Sequence, residues 1–288
     1  MALYINTNIS SIQGRANVDR NQSALQGTLQ KLSSGLRINS SKDDASGMSV
    51  VETLNSRIRG TEMGIRNAND GISVAQTAEG AMGQIVGNLQ RIREITVQSG
   101  NASIQPGERS KLQMELDQLT QEISRIVRTS EFNGQLLLSG GNNLTFQVGA
   151  SADVSNQISF SGASLSGALS GILGSNIDIT ATGTFNLSAI NSNVSGGVTA
   201  ALSQLDLAIG SVVSERARFG AIQNRFDAVI SNTKNYSENL QAARSRIQDT
   251  DFAAETANLT RSQILQQAST AMLAQANQIS QGALSLLK

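Results

Sequence analysis

Neither cysteine nor histidine occurs in the 288 residues. Their absence removes thiol nucleophiles, imidazole acid–base catalysis and the usual ligand sets for zinc or iron–sulfur clusters. It also means that an oxidising exterior would be tolerated. Tryptophan is missing too, and aromatics make up only 3% of the chain. A thick globular core is hard to build from so few large side chains, so Ala, Leu, Ile and Val are left to fill narrow seams. Charge of neither sign dominates: 22 Lys and Arg balance 22 Asp and Glu, which excludes a global basic field for nucleic acid. The opening residues, MALYINTNIS, have no basic segment and put Asn6 and Asn8 where a secretory signal would be apolar. A cleaved Sec-type signal is therefore not expected.

Charge is also missing locally. Ser262 to Leu287 runs for 26 residues without a charged side chain. The length would suit a membrane span, but twelve of those residues are Ser, Thr, Asn or Gln, whose amides and hydroxyls are costly in hydrocarbon, so membrane insertion is rejected. Leu265, Ala268, Met272, Ala276, Ile279, Ala283 and Leu286 recur at gaps of three and four, along one face of a helix. A helix with an apolar stripe and an uncharged polar back is suited to being surrounded by protein, including copies of itself.

The other end matches it in kind. Ile5, Ile9 and Ile12 open an amphipathic helix, and after a shift in phase Leu25, Leu29, Leu32 and Leu36 continue it. The two terminal stripes could pair. Gly35 and Asn39-Ser40-Ser41 break the first helix, and Ser41 with Asp44 fits a capping pattern for the next. That helix, predicted over Asp44–Ser99, carries a seam through Val51, Leu54, Ile58, Ile65, Ala68, Ile72, Ala75, Met82, Val86 and Leu89, with Thr61 and Glu79 as polar lapses. Gly60, Gly64, Gly71, Gly80, Gly83 and Gly87 lie inside it and each costs about 1 kcal/mol against Ala, so close packing must hold it. A third helix follows Pro106, the only proline, with Leu112, Leu116, Leu119, Ile123 and Ile126 on one face, and stops at Glu131–Gly134. From Gly134 to Gly197 Lys and Arg vanish. There Leu144, Phe146 and Val148, then Ile158 and Phe160, alternate as a β-hairpin, with further short strands expected near 177–179 and 185–187. From Val198 every seventh residue is Val198, Leu205, Val212, Phe219, Phe226, Thr233, Leu240 and Ile247, the strongest period in the chain.

The expected fold is mainly α. Helices of about 84 Å and about 75 Å exceed a compact globule of this length, whose radius of gyration is about 19 Å. The reading is an elongated rod of long antiparallel coiled-coil helices from both chain ends, with a small hairpin-containing tip. Residues 1–43 and 249–288 form one coiled coil. Residues 44–248 form a second helical part, with the hairpin near 144–160 and a Gly/Ser-rich insert near 161–197. The carboxylates form no catalytic set, the glycines follow no phosphate-loop spacing and Asp43-Asp44 is better explained by capping. No enzyme activity, cofactor or metal is expected. Ordering about 35 residues at each end costs roughly 1–2 kcal/mol per residue. Both ends are therefore expected to be largely disordered in free subunits and to fold on assembly.

Several long motifs resemble bacterial flagellin. They are INTN at Ile5–Asn8, LSSGLRINSSKDDASG at Leu32–Gly47, RNANDGISVAQTAEGA at Arg66–Ala81, QRIREITVQS at Gln90–Ser99, FNGQLLLSG at Phe132–Gly140, SRIQDTDFAAETANLTRSQILQQA at Ser245–Ala268 and MLAQANQISQGALSLL at Met272–Leu287. The resemblance implies an extracellular filament subunit for motility, with an inner core of terminal helices and an outer core of longer ones. It also implies unfolded passage through a type III export apparatus, an export chaperone on the C-terminal stretch, and contact with hook-associated and filament cap proteins. The family's animal Toll-like receptor motif maps onto Arg91, Ile95 and Glu115, where the family usually carries Leu in place of Ile95. A hook–filament junction protein would share the terminal helices, but LSSGLRINSSKDDASG and the LAQAN run favour flagellin. The short middle implies a nearly bare outer surface.

Overall fold

The computed structural model describes residues 8–140, 143–165 and 197–285. Ile5, Leu286, the side chains of Ile279 and Ala283, and the strands expected near 177–179 and 185–187 lie outside the described residues. Among the described residues there are five α-helices, α1 (Ile9–Ser34), α2 (Ala45–Ser99), α3 (Pro106–Thr129), α4 (Gly197–Gln248) and α5 (Phe252–Ser285), with strands β1 (Glu131–Phe132), β2 (Gln135–Leu136), β3 (Asn143–Gln147) and β4 (Gln157–Ser161). The fold is mainly α with a small antiparallel strand region in the middle of the chain, as the periodicities predict. The chain divides into two compact units, Met1–Ile58 with Glu238–Lys288 and Arg59–Ser237, so that α2 and α4 contribute to both.

The unit spanning 59–237 has a continuous apolar core. The heptad positions of α4 reach it as expected, with Leu205, Val212, Phe219 and Phe226 all at 0% exposure. Against them lie Ala68, Ala75, Met82, Val86 and Leu89 of α2 and Leu116, Ile123 and Ile126 of α3. The hairpin adds two aromatic rings to the two of α4 in this core. β3 and β4 pair antiparallel with Leu144 opposite Phe160 and Phe146 opposite Ile158, which sends alternate side chains to one face. Phe146 and Phe160 stack at 5.7 Å between ring centroids, and each meets Phe226 of α4 edge-on. A tighter hairpin joins β1 to β2 through Asn133 and Gly134, both at positive φ (50° and 77°), the conformation an Asn-Gly hairpin turn requires. This is the turn that follows α3.

The α2 glycines divide into two groups. A Cβ on Gly71 would come within 2.5 Å of Phe226 Cζ, one on Gly60 within 2.6 Å of Ala150 Cβ, and one on Gly64 would overlap the Val148 carbonyl. These three positions are where the hairpin and the Phe226 ring press onto the helix. At Gly80, Gly83 and Gly87 a Cβ would meet nothing within 4 Å. Close packing thus accounts for half of the expected set, and the described residues give no packing reason for the rest. Glu79 is no gap in the seam either: it accepts from Gln223 Nε2 at 2.9 Å and lies 3.5 Å from Arg216.

In the other unit, α1 ends at Gly35, whose φ of 72° closes the helix with its N–H donated to Lys31 O at 2.9 Å. Leu36, assigned above to the helical stripe, therefore lies beyond the helix, bridged to Asp249. Two of the helix starts are capped by aspartates. Asp44 accepts from Gly47 N at 2.8 Å to open α2, and Asp251 accepts from Ala253 N at 2.9 Å to open α5. The expected Ser41–Asp44 box is corrected accordingly: Asp44 is itself the residue before the first turn, which puts Ser41 outside the motif. Among the described residues no helix is long and apolar enough to cross a membrane.

Candidate functional site

α1 and α5 lie antiparallel against each other. Asn8 Nδ2 donates to Ala276 O at 3.0 Å, and thirteen positions further along α1 Asn21 Nδ2 donates to Ser269 Oγ at 2.8 Å. The residues of α1 turned toward this contact recur at helical spacing and are mostly small or polar: Ser11, Gly14, Val18, Asn21, Leu25, Thr28 and Leu32. On α5 they are Leu259, Ser262, Gln266, Ser269, Leu273 and Ala276. Small side chains let the helices approach closely, and a Cβ on Gly14 would lie 3.1 Å from Leu273 Cδ1. The amides of Asn8 and Asn21 find partners across the seam, as amides removed from water must.

The apolar stripes pair only in part. Ile9, Ile12 and Leu29 are exposed at 58%, 60% and 46%, and Ile264, Leu265 and Met272 at 60%, 46% and 65%. Ala268 is exposed as well. Of the predicted stripe positions whose side chains are described, Leu25, Leu32 and Ala276 are half-buried in the seam, and Leu36 is half-buried beyond the end of α1. The physical reason is geometric. Asn8 and Asn21 carry cross-helix hydrogen bonds and Gly14 lets α1 come close to Leu273, so the seam takes the face that bears them, with Leu25, Leu32, Leu259 and Leu273 half-buried in it. The result is a two-helix element that leaves Ile9, Ile12, Leu29, Ile264, Leu265 and Met272 in solvent. A groove runs along it, lined on α1 by Ser10, Gln13, Gly14 and Asn17 and on α5 by Ala268, Ser269, Met272 and Ala276. Sequence reasoning missed Ile264 and the polar seam. The seam's signal was the run of residues 259, 262, 266, 269, 273 and 276 in step with Leu259 and Leu273.

The joint next to this element is held by polar contacts. Arg37 donates its backbone N–H to Gln248 O and its guanidinium to Ile247 O, both at 2.6 Å, which satisfies carbonyls at the end of α4. Thr250 N donates to Gly35 O at 2.9 Å. Asp43 gathers the Ser40 N–H at 2.9 Å, the Ser40 hydroxyl at 3.0 Å and the Asn39 N–H at 3.2 Å. These donors, the Ser40 backbone first, hold its carboxyl below the usual range.

Arg91, Ile95 and Glu115 do not form one surface. Arg91 Nε donates to Glu115 Oε1 at 2.8 Å, joining α2 to α3, and Arg91 also pairs with Glu94 at 2.9 Å. Glu94 and then Glu115 hold the guanidinium above its ordinary range. Both Arg91 and Glu115 are well exposed, but Ile95 is at 0% exposure in the core.

The sequence matches two family models, the bacterial flagellin N-terminal helical region over residues 5–143 and the bacterial flagellin C-terminal helical region over residues 202–287. Flagellin of Bacillus subtilis (strain 168) is 41% identical over 306 residues, covering 99% of this chain and 100% of that protein. Flagellin B of Vibrio anguillarum is 36% identical over 375 residues and covers 100% of both. Among solved structures, one described as that of a flagellar hook-associated protein from Vibrio parahaemolyticus is similar with a TM-score of 0.58. It is 14% identical and covers 72% of this chain and 100% of that one, a likeness of fold alone. Matched along both helical regions, and throughout its length by curated flagellins, the chain belongs to the bacterial flagellin family.

Proposed function

We propose that the protein is a structural subunit that polymerises through α1 and α5 into the extracellular bacterial flagellar filament used for motility. The observation that carries this is the set of large apolar side chains that the helix pair leaves in solvent, Ile9, Ile12, Leu29, Ile264, Leu265 and Met272, all well exposed among the described residues. Exposed apolar side chains concentrated on one helix pair suit an interaction site, and for a chain of this family the partner that covers them is another copy. We read residues 1–43 with 249–288 as the inner layer of the filament and 44–248 as the outer layer. The role is structural and calls for no catalysis. The same C-terminal helix, presented unfolded, is the segment an export chaperone would cover before passage through the type III apparatus, without a cleaved N-terminal signal. Hook-associated and cap proteins would meet the same helices at the filament ends. A Toll-like receptor contact would rest on the exposed Arg91 and Glu115, with Ile95 supporting them from beneath.

The test is Ala268→Glu in the full chain. Ala268 is exposed in the subunit, so the melting temperature should not move. Burying the unpaired carboxylate between copies costs several kcal/mol, so seeded growth seen by electron microscopy should stop. Filaments that grow normally from this variant would overturn the proposed interface. Wild-type protein that adds a single layer to seeds, with no indefinite growth, would favour the hook–filament junction reading.

A further inference from the structure

Among the described residues three methionines stand open to solvent, Met63 at 47%, Met114 at 61% and Met272 at 65%, while Met82 is sealed in the core at 0%. Met63 and Met114 belong to the unit spanning 59–237, and Met272 to the unit that contains α1 and α5. Met272 lines the groove of that pair, together with Gly14 and Asn17 of α1 and Ala268 and Ala276 of its own helix. A thioether there is a flexible apolar surface that adapts to an incoming apolar side chain. We infer that Met272 is a modification site at which peroxide-class oxidants reversibly block the assembly of free subunits; this rests on the filament reading above.

The step is a two-electron oxidation. A lone pair on the Met272 sulfur attacks one oxygen of hydrogen peroxide, the O–O bond breaks, an S–O bond forms, and proton transfer releases one water. A methionine sulfoxide reductase reverses it: two of its thiols become a disulfide, the S–O bond breaks and the oxygen leaves as water. The sulfoxide turns a smooth apolar wall into a strongly polar one. Covering it with a second copy strips its hydration without supplying donors, which lowers elongation by about tenfold or more. Met82 is out of reach, so oxidation at the exposed positions leaves the main core intact.

The test uses full-length protein treated with hydrogen peroxide, sulfoxide occupancy at each methionine by peptide mass spectrometry, and seeded elongation rates. Each variant is compared with its own untreated sample. Wild type and Met63→Leu/Met114→Leu should lose elongation in step with Met272 conversion and regain it with reductase, whereas Met272→Leu should show the same rate before and after peroxide. Undiminished elongation of wild type with Met272 fully converted would overturn the inference. So would an equal loss in Met272→Leu. If Met272→Leu does not elongate even untreated, the reductase arm on wild type decides. Recovery that tracks Met272 repair supports the site, and recovery that tracks another methionine overturns it. Untreated wild type that fails to extend seeds would overturn the filament reading, and this inference with it.

Discussion

Removing the Phe226 ring should destabilise the subunit more than almost any other single truncation. The ring is fully buried. It meets Phe146 and Phe160 edge-on at 5.7 Å and 6.3 Å and lies over the backbone of Gly71. Phe226→Ala deletes all three contacts at once, and a rigid junction of two helices and a hairpin has little freedom to collapse into the space. The cost should be about 3–5 kcal/mol, or roughly 6–20 °C in melting temperature for a unit of this size. Gly71 provides the internal control. Alone, Gly71→Ala drives its methyl to within 2.5 Å of Phe226 Cζ and should cost about 1–3 kcal/mol by overpacking. In the Phe226→Ala background the same methyl enters the vacated space and should be neutral or stabilising, since Ala is the better helix former by about 1 kcal/mol. Urea unfolding of the four proteins, followed by circular dichroism, measures the coupling. An equal cost of Gly71→Ala in both backgrounds would refute the proposed contact, and an unmoved melting curve for Phe226→Ala would refute the seam.

Gly83→Ala should raise monomer stability by up to about 1 kcal/mol, because a Cβ there meets nothing within 4 Å; thermal unfolding that shows a loss would contradict the open space. Arg91→Ala should sharply weaken receptor signalling by soluble monomer and leave the core intact, since the side chain is exposed and its ion pairs are with Glu94 and Glu115; signalling equal to wild type in a reporter-cell assay would remove the site. Asp43 has a folded pKa below its ordinary value, so its contribution is complete above the usual carboxylate range and is lost as pH falls through the lowered value. The acid limb of stability in Asp43→Asn should therefore be shallower than in wild type, and identical limbs would show that the loop does not depend on the carboxylate. Hydrogen exchange should be fast across residues 9–34 and 254–285 in free subunits and slow in filaments; strong protection in the free state would overturn the weak-pairing argument.

The second unit was legible because its large residues have only one place to go. Leu205, Val212, Phe219 and Phe226 recur every seventh residue, and burying them fixes which face of α4 points inward. Phe146 and Phe160 alternate, and their pairing fixes the hairpin register. Gly71 was readable as an anomaly, but the ring that sits on it was not, because that contact joins positions 155 residues apart in sequence (226 − 71). Ile95 was set beside Arg91 by resemblance to the family and not by any reading of burial; Ile92, Ile95 and Thr96 are all buried at the end of α2. On the terminal helices the period named stripes that the seam uses only in part: Leu25, Leu32 and Ala276 enter it, whereas Ile9, Ile12, Leu29, Leu265 and Met272 stay exposed. The usual assumption is that a chain buries its own apolar stripe, and in a subunit built to be surrounded that assumption inverts.

That inversion also sets how firmly the ends are held. In α1 only Thr28 is buried, and in the described part of α5 no side chain is. By contrast, α4 alone places four large apolar side chains at 0% exposure in the second unit, Leu205, Val212, Phe219 and Phe226. Ordering a helix pair costs roughly 1–2 kcal/mol per residue in backbone entropy. In this seam Val18, Leu25, Leu32, Leu259 and Leu273 are only half-buried among Ser, Gly, Asn and Gln, so the hydrophobic effect recovers only part of this, and the hydrogen bonds contribute about 1 kcal/mol each at best. The α1–α5 pair is therefore the part of the subunit with the lowest free energy of opening. A neighbour that covers Ile9, Ile12, Ile264, Leu265 and Met272 adds about 25 cal/mol for each Å² of apolar surface removed from water, and it does so only in the assembled state. Stability of the ends is thus coupled to polymerisation. A tighter apolar seam inside the subunit would hold the pair more firmly, but it would draw into the molecule the same side chains that the proposed contact between copies uses.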